Sequence, residues 1–163
     1  MWFDTKPSDT SYADMAPHRI ANVVTIEAPP QRVFDIFATA DHQDEWMPDF
    51  KACRWTSSEP HGVGATREIE LKMLTVKERF LIWENGKHLM FSVDAATLPI
   101  ITQMVEEMRF EPIDGGAATR FVWHVYYTPA RIAVPIHPAA RAVFGHMFGM
   151  AAKNLVKWVK TNG

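Results

Sequence analysis

The hydrophobic positions in the last part of the chain follow a helical period. Over residues 138–160, apolar side chains recur at steps of three and four, and the basic side chains fall on other faces. The apolar stripe consists of Phe144, Phe148, Ala151, Leu155 and Val159. Pro138 marks the start, because the missing N–H of proline has no helical partner in a first turn, and Asn162 and Gly163 mark the end. The pattern predicts one long closing helix with one buried face.

The middle of the chain changes to a period of two, which is typical of half-buried strands. Turn residues such as Asn85-Gly86 and Asp114-Gly115 separate the alternating segments. Links this short join antiparallel neighbours. The six predicted strands cover residues 50–57, 65–73, 76–83, 88–95, 101–112 and 117–127.

The region before these strands contains one more strand and two short helices. An alternating run predicts a strand at 18–28, which ends at the proline pair that follows it. The segment QRVFDIFATA then places its apolar residues on one helical face. A second short helix is expected from the capping candidates Thr39 and Asp41 to Pro48.

Residues 1–17 are polar and have no periodic pattern. We therefore expect an N-terminal tail ahead of a single domain at 18–163. Two interpretations of the tail stay open, which are disorder and local docking through Trp2 and Phe3.

This order of elements predicts an α+β fold, in which a curved antiparallel sheet of about seven strands wraps around the closing helix. Three segments, IEAPPQRVFDIFATADHQDEWMP, IWENGKHLMFSV and GGAATRFVWHVYY, together with the closing helix, resemble the START-like or Bet v 1-like helix-grip superfamily, which includes polyketide cyclase/dehydrase-like proteins. The resemblance covers about residues 18–160. It implies a deep cavity between sheet and helix for an apolar or aromatic small molecule. Some members of the superfamily carry lipids, some cyclise polyketides and others bind protein partners.

The strands themselves also favour a cavity. We expect the more apolar face of each strand to face the helix. This rule turns inward Ile69, Leu71, Met73, Val76, Phe80, Ile82, Leu89, Phe91, Val93, Met104, Met108, Phe110, Phe121, Trp123, Val125 and Tyr127. The predicted ligand-binding residues are Trp46, Arg67, Leu71, Phe80, Phe91, Met104, Glu106, Met108, Trp123, Tyr127, Phe144, Met147 and Phe148. The alternative is that these large side chains only fill a core.

Strand parity also places Arg67, Glu78 and Glu106 on apolar faces. A buried ion is costly unless it is paired, so these residues must pair, change protonation state or reach solvent. We expect Arg67 to pair with Glu106. A bulge that shifts the register by one residue would instead turn the three charges outward.

Composition and motifs exclude several classes of function. The chain has 163 residues, with 17 basic and 19 acidic side chains and a net charge of −2, which gives no positive field for nucleic acid. The lone Cys53 allows no internal disulfide and favours a cytoplasmic setting. The sequence has no run of about 18 apolar residues and no HExxH or other metal-ligand spacing. We expect no integral membrane segment, no metal and no cofactor.

The leading functional hypothesis is the binding or transport of a hydrophobic small molecule. The alternative is a polyketide cyclase or dehydratase, for which Glu106 and Tyr127 are the acid/base candidates. A protein-interaction adaptor is a third class. The apolar loops ATLPIIT and ARIAVPIHP are unusual for loops, and they suggest homodimer contact or transient membrane contact.

Overall fold

A long helix at the end of the chain packs against one face of an antiparallel sheet. The computed structural model describes residues 1–162, so the predicted helix terminator Gly163 lies outside the described residues. The strands are β1 (Phe3–Asp4), β2 (His18–Ile26), β3 (Phe50–Trp55), β4 (Thr66–Leu71), β5 (Thr75–Glu84), β6 (His88–Ala96), β7 (Ile101–Ile113) and β8 (Ala118–Pro129). The α-helices are α1 (Tyr12–Met15), α2 (Pro30–Thr39) and α3 (His137–Asn162), and short 3-10 helices lie at Gln43–Glu45, Asp114–Gly116 and Arg131–Ile136.

The sheet has the order β2-β8-β7-β6-β5-β4-β3, and every neighbouring pair is antiparallel. From β3 to β8, consecutive strands are therefore neighbours, as their short links predict. The first long strand, β2, returns to pair with β8. The predicted α+β architecture is confirmed, with seven strands in the main order and β1 added beside β6.

The main core lies between the inner face of the sheet, which faces α3, and the helices α2 and α3. Its fully buried side chains include Phe34 of α2, Phe121 of β8 and Leu155 of α3. The predicted stripe of α3 is buried from Phe148 to Val159, whereas Phe144 is half-buried. A Cβ at Gly149 would stand 3.7 Å from Asn22 Oδ1 of β2, which is an ordinary van der Waals contact, so the packing of α3 on β2 does not require glycine there.

Local irregularities correct two of the predicted inward positions. A register shift in β5 between Phe80 and Ile82 turns Ile82 to the outer face and brings Trp83 into the main core. Met73 lies in the turn after β4 and is 74% exposed. The second short helix is reduced to the single 3-10 turn at Gln43–Glu45.

The N-terminal segment docks on the outer face of the sheet. β1 pairs with the end of β6, and Tyr12 is buried beside Met90 and Val105. The Tyr12 hydroxyl lies 2.7 Å from Thr128 Oγ1. Local docking is therefore what the structure shows, but its anchor is Tyr12, whereas Trp2 and Phe3 remain partly exposed.

Candidate ligand cavity

A cavity lies between the inner face of the sheet and α3. The centre of a water-sized sphere can reach a volume of about 130 Å³ inside it. This is roughly ten times the volume that one water molecule needs on the same measure. Most of the cavity wall is apolar. The predicted binding residues on this wall are Arg67, Leu71, Phe91, Met104, Glu106, Met108, Trp123, Tyr127, Phe144, Met147 and Phe148.

Trp46 and Phe80 do not line the cavity, and these two predictions are corrected. Trp46 is buried behind the wall, where its ring meets the ring of Phe37 edge-on at 5.4 Å. Phe80 is buried beneath the Arg67 guanidinium, whose central carbon lies 4.9 Å from the ring centroid. Both side chains support wall residues.

A buried ion pair lies on the cavity wall. Arg67 Nε donates to Glu78 Oε2 at 2.7 Å, and Arg67 Nη1 donates to the carbonyl oxygen of Phe37 at 3.0 Å. The prediction that Arg67 pairs with Glu106 is therefore wrong. Arg67 and Glu78 stand directly opposite each other on β4 and β5, whereas Glu106 lies two strands further along the sheet on β7. Glu106 is thus three strand spacings, roughly 14 Å along the sheet, from Arg67, whose guanidinium donates instead to Glu78 and to the carbonyl oxygen of Phe37.

Glu106 is the second buried acid of the cavity. It follows the inward parity of β7 and is almost completely buried. Trp123 Nε1 donates a hydrogen bond to its Oε2 at 3.0 Å. Burial, and then the negative charge of Glu78, raise the pKa of Glu106 to about 8, against the weaker lowering effects of Trp123 and Arg67. At neutral pH this side chain is therefore a neutral carboxylic acid.

Gln43 is a polar wall residue that the sequence analysis missed. It lies in the 3-10 turn after α2, and its Oε1 is buried without a hydrogen-bond partner within residues 1–162. A buried amide oxygen without a partner is unusual in a folded protein. Because an isolated turn has no strand parity or helical stripe, no sequence pattern distinguished this residue.

Tyr127 lies at the end of the cavity where two lining residues, Ile136 and Arg141, are exposed to solvent, and we call this the open end. The Tyr127 hydroxyl is 2.8 Å from His137 Nε2, at the start of α3. His137 and Arg141 also line the cavity, and neither was predicted as a site residue. They were missed because they lie off the apolar stripe of α3.

The two apolar loops surround this open end. Ile100, Ala133 and Ile136 line the cavity. Ile132 and Val134 point away from the body of the protein and are 77% and 54% exposed. We call the residues 98–101 and 131–137 the rim.

Residues 17–160 match the protein-family model described as polyketide cyclase / dehydrase and lipid transport. The chain belongs to this family. The family match confirms the resemblance seen in the sequence, and it covers β2 to β8 and α3 as far as residue 160.

Relatives of this member of the polyketide cyclase / dehydrase and lipid transport family share modest sequence identity. An uncharacterized protein of Mycobacterium tuberculosis is 26% identical over 148 residues, which cover 90% of this chain and 85% of the relative. A solved START superfamily protein from Mycobacterium smegmatis superposes with a TM-score of 0.75 at 13% identity, covering 90% of this chain and 99% of that chain. The Zhui aromatase/cyclase from Streptomyces superposes with a TM-score of 0.64 at 14% identity, covering 84% and 93%. Structural likeness at these identities shows the shared fold.

Across residues 1–162, the helices include none that is both long enough and apolar enough to cross a membrane.

Proposed function

We propose that this family member binds one apolar small molecule in the cavity, and that Glu106 donates a hydrogen bond to an oxygen atom of that ligand. The observation that carries the proposal is the position of Glu106, a buried acid on a mostly apolar wall, where burial raises its pKa to about 8. Within the described residues Glu106 has one side-chain hydrogen bond, which its Oε2 accepts from Trp123. A protonated carboxyl group has one O–H donor, so this donor is available to a carbonyl or hydroxyl oxygen of the ligand.

The apolar part of the ligand is expected to contact the methionines. Met104, Met108 and Met147 line the cavity. Methionine side chains are flexible and polarizable, so they adapt to ligands of different shapes. This wall supports an apolar ligand of lipid or polycyclic aromatic type. Apolar packing would hold most of the ligand, and the hydrogen bond from Glu106 would hold one oxygen atom.

The second candidate function is a cyclase or dehydratase. It is supported by the position of two acid/base groups, Glu106 and Tyr127, on the same wall, with Tyr127 paired to His137. Proton transfer from such groups would serve the aldol closure or dehydration of a polyketide chain. Binding without turnover is the simpler proposal, because the cavity supports it directly.

The decisive experiment identifies what the cavity holds. The protein is purified under native conditions and denatured, and any released small molecule is identified by mass spectrometry. A recurrent apolar compound supports binding or transport. Displacement of an apolar fluorescent probe by long-chain and polycyclic compounds then measures affinity.

Matched variants locate the binding site. Trp123→Ala and Met104→Ala should change affinity more than Lys153→Ala, because Lys153 lies on the exposed side of α3. Glu106→Leu should remove the preference for a ketone over the hydrocarbon of the same length, whereas wild type prefers the ketone. Equal effects of all the variants would contradict the cavity as the site. Turnover of a polyketide substrate that Glu106→Gln abolishes, with affinity retained, would favour the enzyme.

A further inference from the structure

Four polar side chains gather where the cavity opens. They are His18 of β2, Tyr127 of β8, and His137 and Arg141 of α3, and we call them the mouth cluster. Arg141 Nη1 donates to His18 Nδ1 at 3.2 Å, and its Nη2 donates to the carbonyl oxygen of Arg19 at 3.1 Å. The rings of His18 and His137 lie 4.3 Å apart, and His18 stacks on Tyr127 at 5.4 Å.

The mouth cluster has an excess of positive groups. Within residues 1–162, none of its members forms an ion pair with a carboxylate. His137 and Arg141 also lie in the first turns of a 26-residue helix, where the helix dipole disfavours cations and no acidic residue compensates them. A negatively charged group at this position would supply the missing partner of Arg141 and would be favoured by the positive end of the helix dipole.

The position of the cluster connects an anion with an apolar ligand. Tyr127, His137 and Arg141 line the same cavity as Phe144 and Met104. Arg141 uses two of its five N–H donors in the contacts above, and its side chain is exposed. A group held there would therefore contact cationic donors on one side and the apolar wall on the other.

We propose that the mouth cluster binds the carboxylate of an amphipathic ligand whose apolar chain occupies the cavity. This inference rests on the proposed function, since it names the chemical class of the cavity ligand. A carboxylate fits because a guanidinium presents its donors in a plane that matches two carboxylate oxygens. The imidazole of His137 and the hydroxyl of Tyr127 supply further donors beside it.

Carboxylate binding should be coupled to proton uptake. Burial, and then the positive charges of His137 and Arg141, lower the pKa of His18, so this ring is neutral in the free protein at neutral pH. A bound anion offsets the repulsion from His137 and Arg141 and favours the protonated ring, whose Nδ1 then donates and no longer accepts from Arg141. The groups that face His18 are Tyr127 on β8 and His137 and Arg141 on α3. Affinity should therefore rise as the pH falls from about 8 to about 6, a range in which a fatty carboxylate stays ionised.

The test compares dodecanoate with dodecanol, which has the same chain and no charge. The pH series is measured within Glu106→Gln as well as within wild type, because Glu106→Gln removes the ionisation of Glu106 and leaves only the pH dependence of the other groups. Arg141→Gln should lower the affinity for dodecanoate by about tenfold, as expected for the loss of a charged hydrogen bond. Its affinity for dodecanol should change by less than about twofold. Lys153→Gln, which removes another exposed cation of α3, should change neither.

Calorimetry in two buffers of different ionisation enthalpy provides a measurement that needs no mouth-cluster variant. In Glu106→Gln, dodecanoate should bind with net proton uptake, whereas dodecanol should bind with none. Equal affinity for the two compounds without proton uptake would overturn the carboxylate site and leave the cavity proposal intact. Failure of both compounds to displace the apolar probe would instead overturn the cavity proposal itself.

Discussion

At the scale of single residues, Glu106 has the environment with the clearest consequence for stability. An exposed glutamate ionises near 4.5, whereas Glu106 keeps its proton to about 8. Between these pH values, ionisation of Glu106 lowers the free energy of the unfolded state but not that of the folded state. The contribution of Glu106 to stability is therefore fully present below about pH 4.5 and is lost as the pH rises toward 8.

The first prediction follows from this difference. Glu106→Gln cannot ionise, so its free energy of unfolding should fall less than that of wild type between pH 5 and pH 8. The difference between the two proteins should change by a few kcal/mol over this range. Denaturant unfolding at several pH values measures it.

The adjacent Glu107 is a matched control on the other face of the sheet. Hydrogen bonding from His88 is the largest effect on Glu107 and lowers its pKa, with Arg109 contributing in the same direction. Its stabilising contribution is present above the pKa of the unfolded chain and is lost as the pH falls. Glu107→Gln should therefore be most destabilising near neutral pH, which is the opposite trend. Parallel pH profiles for the two variants would contradict the assigned environments.

The second prediction concerns the pairing of Arg67. Arg67→Met leaves Glu78 buried without its partner and should destabilise by about 3 to 5 kcal/mol. Adding Glu78→Gln should recover part of this loss, because the unpaired charge is removed. Adding Glu106→Gln in place of Glu78→Gln should recover less near neutral pH, since Glu106 is already neutral there. Equal recovery by both second substitutions would indicate that Arg67 is shared between the two acids.

The residue scale also shows how far strand parity can predict a site. Parity placed Arg67, Glu78 and Glu106 inward, and the structure confirms all three positions. Parity identified the face of the sheet on which these residues lie, but it did not identify the ion-pair partner of Arg67. That partner depends on which residues stand opposite each other across the turn. Gln43 and His137 could not be found this way, since one lies in a 3-10 turn and the other lies off the helical stripe.

At the scale of elements, α3 depends on its buried stripe. Phe148 packs edge-on against Trp123, with ring centroids 5.2 Å apart. The third prediction is that Phe148→Asp destabilises the protein by several kcal/mol, because it places an unpaired charge in the core. Lys153→Asp, a charge change on the exposed side of the same helix, should cost less than about 1 kcal/mol. Similar melting temperatures for the two variants would contradict the buried face.

The N-terminal segment is an element that no periodic pattern indicated. From the sequence alone, removal of residues 1–14 should leave melting nearly unchanged. The structure leads to the opposite expectation, because β1 pairs with β6 and Tyr12 fills an apolar cluster with Met90 and Val105. These contacts join residues that lie from about 80 to 116 positions apart, so local sequence patterns do not reveal them.

The fourth prediction tests this docking. Tyr12→Ala should destabilise by about 2 to 4 kcal/mol through loss of buried aromatic surface. Tyr12→Phe keeps the ring and loses only the hydroxyl contacts to Thr128 and to the carbonyl oxygen of Gln103, so it should cost about 1 kcal/mol. Chemical unfolding measures both. An unchanged midpoint for Tyr12→Ala would show that the segment contributes nothing to stability.

At the scale of the whole molecule, the fold was predictable because each level of pattern agreed with the next. Strand periods, turns and the closing helix all indicated one sheet packed on one helix, and the family match agrees. The cavity was harder to predict from the sequence than the fold. Whether large side chains fill a core or line a space depends on how far the helix stands from the sheet, which periodicity does not specify.

The whole molecule also suggests how a ligand reaches the cavity. The rim combines exposed apolar side chains, Ile132 and Val134, with the exposed cation Arg131. An apolar patch beside a positive charge is suited to brief contact with an anionic lipid surface. Such contact would let an apolar ligand pass from the bilayer into the cavity without crossing water.

The fifth prediction is that the rim controls the rate of uptake and not the affinity. In Ile132→Asp with Val134→Asp, transfer of an apolar fluorescent probe from vesicles containing phosphatidylserine should slow by at least about tenfold, because the rim no longer contacts the bilayer. The affinity for the same probe in solution should stay within about twofold of wild type, since neither side chain lines the cavity. Val23→Asp is the control, because Val23 is a half-exposed valine on β2 that also lies off the cavity wall. Equal slowing by Val23→Asp, or wild-type transfer that does not depend on vesicle concentration, would show that the ligand reaches the cavity through water and that the rim has another role.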